Sequence, residues 1–375
     1  MHGYPQGEIY TGKVLELRQR TLANLEGLMM KVLVTGSQGY IGTVLVPMLQ
    51  YHEHEVVGID TDLYQKCTFT GKLPDIKTIK TDVRDLHKDD LVSYGAIIHL
   101  AGLSNDLLGD YEPELIKEIN ETASVKFAGL AKAVGVKRFL FASSCSNYGA
   151  AGMDFINEEA EFKPVTPYGV SKVNAETALA KMADENFSPT FIRASTAYGL
   201  SPRIRFDLVT NNLTAWAFTT GRVYLKSDGS PWRPIVHVED ISRAYIAALH
   251  APRELIHNEA FNVGTTTENY QIHEIANLVK EVVPNCKIEY APDAGPDKRC
   301  YRVDCNKIAK VLKDYKPQWT ARRGIEQLYD AYHKVGLTLE EFEGPKFKRI
   351  AHIKKLIAEG KLDANLRWIH TPGNS

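Results

Sequence analysis

The stretch that decides the fold is Met30-Lys31-Val32-Leu33-Val34-Thr35-Gly36-Ser37-Gln38-Gly39-Tyr40-Ile41-Gly42. Its first part, 31–35, is a β-branched apolar run of the kind found in buried parallel strands. Three glycines spaced by three residues follow, and a helical apolar pattern then begins near Val44. Glycines let a backbone approach a pyrophosphate closely, and a helix N-terminus offers N–H groups to anions. The stretch therefore predicts a nucleotide-binding α/β fold.

The ends of the other expected strands add candidates for the same cofactor site. A second strand, 55–59, ends at Asp60, which can accept hydrogen bonds from adenosine ribose hydroxyls and would repel a 2′-phosphate. The pattern therefore favours NAD over NADP. A tight turn followed by a solvated carboxylate is the alternative, and the register of strand, glycines and acid argues against it. The candidate cofactor-binding residues are Gly36, Gln38, Gly39, Tyr40, Ile41, Gly42, Asp60, Asp82, Val83, Leu100, Ala101 and Gly102.

Strands and helices alternate from residue 31 to about residue 200, which predicts a doubly wound parallel sheet. Further strands are expected at 77–80, 96–100, 138–142, 189–193 and 261–264, and helices near 113–134, 168–186, 241–249 and 272–283. After residue 195 the segments are shorter and richer in proline, arginine and aromatic residues. The predicted fold class is thus α/β, a Rossmann-type sheet with a smaller C-terminal substrate-binding lobe.

The chain divides into four regions on these patterns. They are an N-terminal extension (1–29), an NAD-binding domain (30–195) to which some later segments return, a mainly substrate-binding lobe (196–334) and a helical tail (335–375). The extension is expected to be an appendage, either a flexible arm or a dimer-contacting helix. The tail has an apolar stripe beside a basic side, and we favour a helix docked on the domain over a membrane-surface helix.

Composition narrows the class of protein. The chain has 375 residues, a net charge of −1 and a pI of about 6.9, so no global field draws it to nucleic acid or to a membrane. Its five cysteines are scattered and odd in number, which fits free thiols in a reduced compartment better than disulfides or a zinc site. We expect a cytoplasmic protein with no metal, no nucleic-acid partner and no membrane partner.

The sharpest chemical signal is Tyr168-Gly169-Val170-Ser171-Lys172. A spacing of four residues places the tyrosine and the lysine on one face of a helix. An ammonium group beside a tyrosine favours the phenolate, which can act as a general base at neutral pH. Isolated pairs of this kind are common on helix surfaces, but here a glycine turn and a strand-terminal serine, Ser144, accompany the pair. The candidate catalytic residues are therefore Ser144, Tyr168 and Lys172.

In combination these motifs resemble the extended short-chain dehydrogenase/reductases, specifically the NAD-dependent nucleotide-sugar epimerase/dehydratase family, over roughly residues 30–330. The resemblance implies that Ser144, four residues before a Tyr-Gly pair, is catalytic and that Tyr168 is the base. It implies that Lys172 binds the nicotinamide ribose and lowers the tyrosine pKa. It also implies that Asn120 supports the long helix and a proton relay; a polar helix-surface residue is the alternative. Asn120, Tyr168 and Lys172 thereby join the cofactor-binding candidates.

The same resemblance assigns substrate contacts to the second lobe. It implies that Asn212 and Leu213 meet the sugar nucleotide and that Arg233 binds its diphosphate, for which a guanidinium group is well suited. Ala294 occupies the place of a second family arginine, for which Arg299 or Arg302 can substitute; for Arg299 a surface salt bridge is an equal alternative. The candidate substrate-binding residues are Ser144, Ser146, Asn212, Leu213, Arg233 and Arg299.

The resemblance also bears on the reaction. The family's dehydratases carry Asp-Glu directly after the catalytic serine or threonine, whereas this chain has Cys145 and Ser146, which supply no ready proton for elimination. We therefore expect an NAD-dependent epimerase of a nucleoside-diphosphate sugar, acting at C4 through a ketosugar, in a homodimer. The alternatives are a nucleotide-sugar dehydrogenase or 4-ketoreductase using NAD(P), and a non-catalytic NAD-binding regulator.

Overall fold

The computed structural model describes residues 29–104, 112–149, 152, 154–295 and 300–369. The predicted N-terminal extension, apart from Met29, and the substrate-binding candidate Arg299 lie outside the described residues.

The strands follow the predicted order closely. In chain order they are β1 (Lys31–Thr35), β2 (Glu55–Asp60), β3 (Lys77–Lys80), β4 (Ala96–His99), β5 (Arg138–Ser144), β6 (Phe155–Ile156), β7 (Ser188–Ala194), β8 (Thr196–Tyr198), β9 (Arg222–Ser227), β10 (Trp232–His237), β11 (Glu259–Val263), β12 (Asn269–Gln271), β13 (Lys287–Gly295) and β14 (Arg302–Val303).

The helices connect these strands. They are α1 (Gly42–Tyr51), α2 (Pro113–Lys117), α3 (Ala123–Ala133), α4 (Pro167–Ala180), α5 (Val209–Thr220), α6 (Val238–His250), α7 (Arg253–Ile256), α8 (Ile272–Val282), α9 (Asn306–Val311), α10 (Ala321–Val335), α11 (Leu339–Glu343) and α12 (Arg349–Ala358). A π-helical turn, Glu118–Thr122, joins α2 to α3 into one long helix.

Seven parallel strands form the central sheet, in the order β11-β7-β5-β4-β1-β2-β3. Helices α1 and α6 bury their apolar side chains on one face, and α3 and α4 bury theirs on the other. The order reverses direction at β1, with β2 and β3 on one side and β4 on the other, which is the arrangement of a doubly wound Rossmann sheet. The predicted fold class is confirmed.

Two boundaries differ from the sequence-based expectation in ways that affect the site. Strand β5 continues through Ser143 and Ser144, because both residues pair in register with the last two residues of β7. Helix α4 ends at Ala180 instead of residue 186, because Asp184 Oδ1 accepts the N–H groups of Asn186 and Phe187 and so closes a turn.

A second group of elements packs beside the sheet around its own core. It contains the three-stranded sheet β12-β10-β8 and the strand pair β13-β9. Helices α5, α8 and α10 cover these strands with buried side chains such as Leu213, Val279 and Ile325. The carboxyl edge of the central sheet therefore faces a second set of strands and helices across a cleft.

The described part of the tail folds back onto the protein. Gly336, with a φ of 70°, ends α10, and α11 and α12 follow. On α12, Ile353 and Leu356 are buried, Lys354 and Lys355 are exposed, and Ile357 is 37% exposed. Across the described residues no helix combines the length and the apolar character needed to cross a membrane.

Candidate active site

A cleft of about 1360 Å³ runs along the carboxyl edge of the central sheet. Apart from Asn120 and Arg302, the suggested substitute arginine, every predicted site residue within the described chain lines it. From the sheet side these are Gly36, Gln38, Gly39, Tyr40, Ile41, Gly42, Asp60, Asp82, Val83, Leu100, Ala101, Gly102, Ser144, Ser146, Tyr168 and Lys172, and from the opposite side Asn212, Leu213 and Arg233. Residues far apart in the sequence are thus brought into one continuous site.

The glycine turn is packed so tightly that it excludes side chains. A Cβ atom on Gly42 would lie 2.3 Å from the carbonyl oxygen of Gly36. On Gly36, which has a φ of 71°, it would lie 2.9 Å from the backbone nitrogen of Ala101. No described side chain caps the N-terminus of α1 at Ile41, which lines the cleft. The turn therefore fits the diphosphate of a dinucleotide.

Asp60 is tied to the glycine turn. One carboxylate oxygen accepts the Gln38 N–H at 2.9 Å and the other accepts the Asp62 N–H at 2.7 Å. Each oxygen keeps a second lone pair that can accept a ribose hydroxyl. Burial raises the pKa of Asp60 and these two amide hydrogen bonds oppose that rise. Among described atoms, Gln38 Oε1 is buried without a hydrogen-bond partner beside it, as a further polar atom for the cofactor.

Asn120 lies behind the cleft wall. It is 0% exposed, so the helix-surface alternative is wrong. Its Oδ1 accepts the Leu103 N–H at 2.7 Å, and its Nδ2 donates to the Leu103 carbonyl at 3.0 Å and to Ser171 Oγ at 3.3 Å. Asn120 sits in the π-helical turn, a distortion often found at functional sites. It joins the loop after β4 to helix α4 and so fixes the position of the Tyr168/Lys172 helix.

Tyr168 and Lys172 project from one face of α4 into the cleft. The Lys172 ammonium is buried and lies 4.8 Å from the centre of the Phe141 ring and 5.8 Å from that of Tyr168. Burial lowers the pKa of Lys172 to about 8, because the charged form is poorly solvated there. The lysine is therefore still largely protonated at neutral pH and places a positive charge next to the tyrosine.

The two serines at the end of β5 play different structural parts, although both reach the cleft wall. Ser143 Oγ donates to the buried Glu176 and accepts from Asn147 Nδ2 at 3.1 Å, so it belongs to an internal network. Ser144 Oγ accepts the Ser146 N–H at 3.0 Å. That bond leaves the Ser144 hydroxyl hydrogen for donation to a ligand.

The positions that carry acids in dehydratases have no acid here. Cys145 points away from the cleft: its thiol is fully buried and donates to the Arg193 carbonyl at 3.2 Å. Burial raises the pKa of the Cys145 thiol to about 12. Ser146 lines the cleft, but a hydroxyl is a very weak acid. Neither residue can readily protonate a leaving hydroxyl.

The opposite side of the cleft carries the predicted substrate residues. Arg233, on β10, is 6% exposed, and its guanidinium carbon lies 5.9 Å from the centre of the Tyr301 ring. Asn212 is held by a hydrogen bond of 2.8 Å from its Nδ2 to the Phe206 carbonyl. Arg302, a suggested substitute for the second arginine, is instead clamped between the rings of Phe155 and Trp232 at 3.9 and 4.3 Å and does not line the cleft.

Several cleft residues were missed by sequence reasoning. Arg205 forms an ion pair with Asp207 at 2.5 Å and donates to Ser104 Oγ at 2.7 Å; its spacing of two from an aspartate was the only available signal. Lys348 and Arg349 enter the cleft from the tail. Among the described residues, no group of three or more metal-ligating side chains is arranged to hold a metal.

Comparisons with known proteins agree with this geometry. The chain is 27% identical over 331 residues to UDP-glucuronic acid decarboxylase 1 of Arabidopsis thaliana, covering 84% of this chain and 72% of that protein. It is 26% identical over 314 residues to UDP-glucose 4-epimerase of Corynebacterium glutamicum, covering 79% and 93%. The structure of MoeE5 in complex with UDP-glucuronic acid and NAD matches with a TM-score of 0.71 and 26% identity, covering 81% and 99%.

The family comparison settles the class. The profile of the NAD dependent epimerase/dehydratase family matches residues 32–264, which is more than half of the chain. The family and the neighbouring structures are NAD-dependent sugar-nucleotide enzymes, so the predicted cofactor, NAD, and the prediction of an enzyme are confirmed. The chain belongs to the NAD-dependent epimerase/dehydratase family, as its motifs implied.

Proposed function

We propose that this protein is an NAD-dependent epimerase that inverts C4 of a nucleoside-diphosphate sugar through a transient ketosugar. The observation that carries the proposal is the meeting, in one cleft, of Ser144, Tyr168 and Lys172 with the diphosphate-binding candidate Arg233. Relatives named as UDP-glucose 4-epimerases, from two different bacteria, support the same reaction class.

In this mechanism Tyr168 removes the proton from the C4 hydroxyl of the sugar. The buried ammonium of Lys172, 5.8 Å from the tyrosine ring, stabilises the phenolate that this task requires. Ser144 donates its hydroxyl hydrogen to the same sugar oxygen and holds it in line with Tyr168, while its own oxygen accepts the Ser146 amide. The glycine turn and Asp60 would hold NAD, which when bound would supply the acceptor and donor of hydride for the sugar carbon.

Inversion also requires the ketosugar to present its other face before Tyr168 returns the proton. The protein's task in this step is to hold the nucleotide while the sugar ring turns. Arg233 and Asn212 lie across the cleft from the catalytic residues and can anchor the diphosphate and nucleoside. Cys145 and Ser146 favour this outcome over elimination, because the Cys145 thiol is buried away from the cleft and the Ser146 hydroxyl is too weak an acid to protonate a leaving hydroxyl.

The proposal extends to the organisation of the molecule. We keep the predicted division into an NAD-binding domain, 30–195, and a mainly substrate-binding lobe, 196–334. We also propose a homodimer formed through α4 and the helix before it, and a cytoplasmic location consistent with the free state of all five cysteines.

The test is incubation of purified protein with UDP-, dTDP-, GDP- and CDP-linked sugars, including UDP-glucuronic acid, followed by separation of the products. The expected result is a C4 epimer of one of them, with no net change in NADH absorbance at equilibrium. Stoichiometric NADH would favour a nucleotide-sugar dehydrogenase instead, and a pentose from UDP-glucuronic acid would indicate decarboxylation. If no sugar nucleotide is changed, the catalytic proposal is wrong.

A further inference from the structure

The proposed reaction makes no use of residues 337–369, the described part of the tail that follows α10. This segment is nevertheless firmly packed, and it is called the tail below. Its first anchor is aromatic: the rings of Phe342 and Phe347 lie 5.2 and 5.4 Å from that of Phe206, between centroids. Phe347 also lies 5.7 Å from Phe69, in the segment between β2 and β3. The start of the tail is thus fixed against residues on both sides of the cleft.

A second anchor lies further along the tail, where aliphatic side chains form a separate buried cluster. The tail contributes Ile353, Leu356, Leu362 and Leu366, and the body of the protein contributes Leu103, Leu115, Ile116 and Ile119. The body residues come from the loop after β4 and from the long helix that carries Asn120. The tail therefore packs on the same elements that position the cleft wall.

Hydrogen bonds then tie the end of the tail to the loop after β2. The Trp368 indole N–H donates to the Thr61 carbonyl at 2.7 Å, and His352 Nε2 donates to the Leu63 carbonyl at 3.1 Å. Thr61 directly follows Asp60, the residue predicted to bind the adenosine ribose. The tail consequently crosses the cleft at the adenosine end.

A matching set of contacts fixes the tail to the turn after β3. Arg84 donates to the Asn365 carbonyl at 2.8 Å, and Arg367 lies 3.6 Å from an Asp82 carboxylate oxygen and also pairs with Asp85. Asp82 is one of the predicted cofactor-binding residues. Leu366, between these tied residues, lines the cleft itself. Both strand ends that would hold the adenosine are thus capped by one segment.

The tail also brings positive charge into the cleft through Arg349 at the start of α12. Its guanidinium carbon lies 4.1 Å from the centre of the Tyr64 ring, and burial lowers its pKa. Burial raises the pKa of Tyr40 in the glycine turn, and the Asn211 hydrogen bond and the charges of Arg205 and Arg349 oppose that rise. Arg349 is therefore a positive charge of the tail that lines the same cleft as the glycine turn.

We propose that the tail is the outer wall of the cofactor site: it closes over the adenosine half of NAD, supplies Arg349 toward the dinucleotide diphosphate, and must undock before NAD can leave. This role concerns cofactor retention and does not depend on which sugar is converted. By thermodynamic reciprocity, bound NAD must then stabilise the docked tail as much as the docked tail stabilises bound NAD.

The first test weakens the docking in the full-length protein. In an Ile353→Ala/Leu356→Ala variant, release of prebound NADH, followed by fluorescence after a chase with excess NAD, should accelerate at least about tenfold, because two buried side chains are truncated. Trp368→Phe, which keeps an aromatic side chain but removes the N–H bond to Thr61 and part of the ring, should accelerate release by a few-fold. Lys355→Ala, exposed on the same helix, is the matched control and should leave the rate unchanged.

Hydrogen exchange supplies the second readout. NADH should slow amide exchange across 349–366 in the wild-type protein, and a purely structural tail would show no such response. If the double variant does not fold, the Trp368→Phe release rate and the wild-type exchange pattern decide the matter. An unchanged release rate in folded variants, or exchange in the tail that is indifferent to NADH, overturns the proposal.

A final arm separates the two possible sources of diphosphate at Arg349. Arg349→Ala should weaken NADH binding about tenfold, the size of a lost charge-assisted hydrogen bond, and leave UDP binding to the NAD-loaded protein unchanged. Weakened UDP binding with unchanged NADH binding would assign Arg349 to the sugar nucleotide and contradict its role toward the cofactor. None of these measurements uses sugar turnover, so a failed epimerase assay leaves their outcome unaffected.

Discussion

The cleft has two walls, and they are built in different ways. The inner wall consists of the glycine turn, the ends of β2 to β5 and the Tyr168/Lys172 face of α4, all within about 140 residues of continuous sequence. The outer wall at the adenosine end is the tail, whose hydrogen bonds join residues 289 and 307 positions apart. The inner wall carries groups that can react, whereas the outer wall carries groups that pack and close.

This difference predicts a separation of effects. Changes at Ser144 and Tyr168 in the inner wall should alter the rate of chemistry and leave cofactor exchange nearly intact. Changes in the outer wall should alter cofactor exchange and leave the chemical step nearly intact. Four substitutions or pairs of substitutions, taken from the largest expected effect to the smallest, can break or sharpen this division.

The largest effect is expected for Tyr168→Phe in the inner wall. Loss of the phenol removes the proposed general base, so turnover of the sugar nucleotide should fall by about 10³-fold or more. NADH binding, measured by fluorescence, should stay within about twofold of wild type, because the ring and its packing are kept. Turnover close to the wild-type rate would show that Tyr168 is not the base.

The inner wall was largely predictable, because each of its parts has a local sequence signal. A glycine spacing of three, an acid at a strand end and a tyrosine four residues before a lysine each describe a short piece of backbone. Parallel strands bring their carboxyl ends to one edge, so strand-end residues such as Asp60, Asp82 and Ser144 converge without any need to know the loops. The differing parts of Ser143 and Ser144 were not predictable, since they depend on which residues surround each side chain.

The outer wall was not predictable, because no local signal encodes where a tail docks. The apolar stripe of α12 indicated that one face is buried, and it carried no information on which surface buries it. The partner residues, such as Leu103 and Ile119, looked like ordinary core positions of another element. Arg349 read as one more member of a basic helix face until the fold placed it in the cleft.

A second prediction concerns the charge of Lys172. Because burial lowers its pKa to about 8, the ammonium is present below that pH and is lost as the pH rises through it. Wild-type kcat/KM should therefore decline as the pH rises above about 8. Lys172→Met should reduce turnover by about 10²-fold at pH 7 and abolish this particular decline. A decline that persists unchanged in the variant would assign it to another group.

A third prediction compares the two neighbouring serines. Ser144→Ala removes the hydroxyl proposed to hold the sugar oxygen, and turnover should fall by about 10²-fold with stability little changed. Ser143→Ala removes one hydrogen bond from each of buried Glu176 and Asn147, which keep their bonds to Arg193 and to each other, so unfolding free energy should fall by about 1–3 kcal/mol with a smaller loss of turnover. Assays of turnover and thermal unfolding on both variants check the contrast. Equal effects on turnover would mean that the two positions are not functionally distinct.

The smallest effect is expected in the outer wall, at His352, which donates to the Leu63 carbonyl. Burial lowers the pKa of His352, and the charges of Lys355 and Arg349 act in the same direction, whereas the Leu63 bond and Glu359 oppose them. The docked tail therefore binds fewer protons than the undocked tail. The contribution of neutral His352 to docking is fully present above the ordinary histidine pKa of about 6.5. It is lost as the pH falls through the lower pKa that His352 has in the docked tail.

Release of NADH should accordingly accelerate by a few-fold as the pH is lowered from about 7.5 to about 5.5, and the increase should follow the protonation of His352. His352→Gln can still donate an N–H to the Leu63 carbonyl but does not titrate in this range, so its release rate should depend less on pH. The measurement is the ratio of the NADH release rate of the wild-type protein to that of His352→Gln at each pH. A ratio that stays constant would show that the pH response of the outer wall arises elsewhere, and would leave the division between the two walls standing on packing alone.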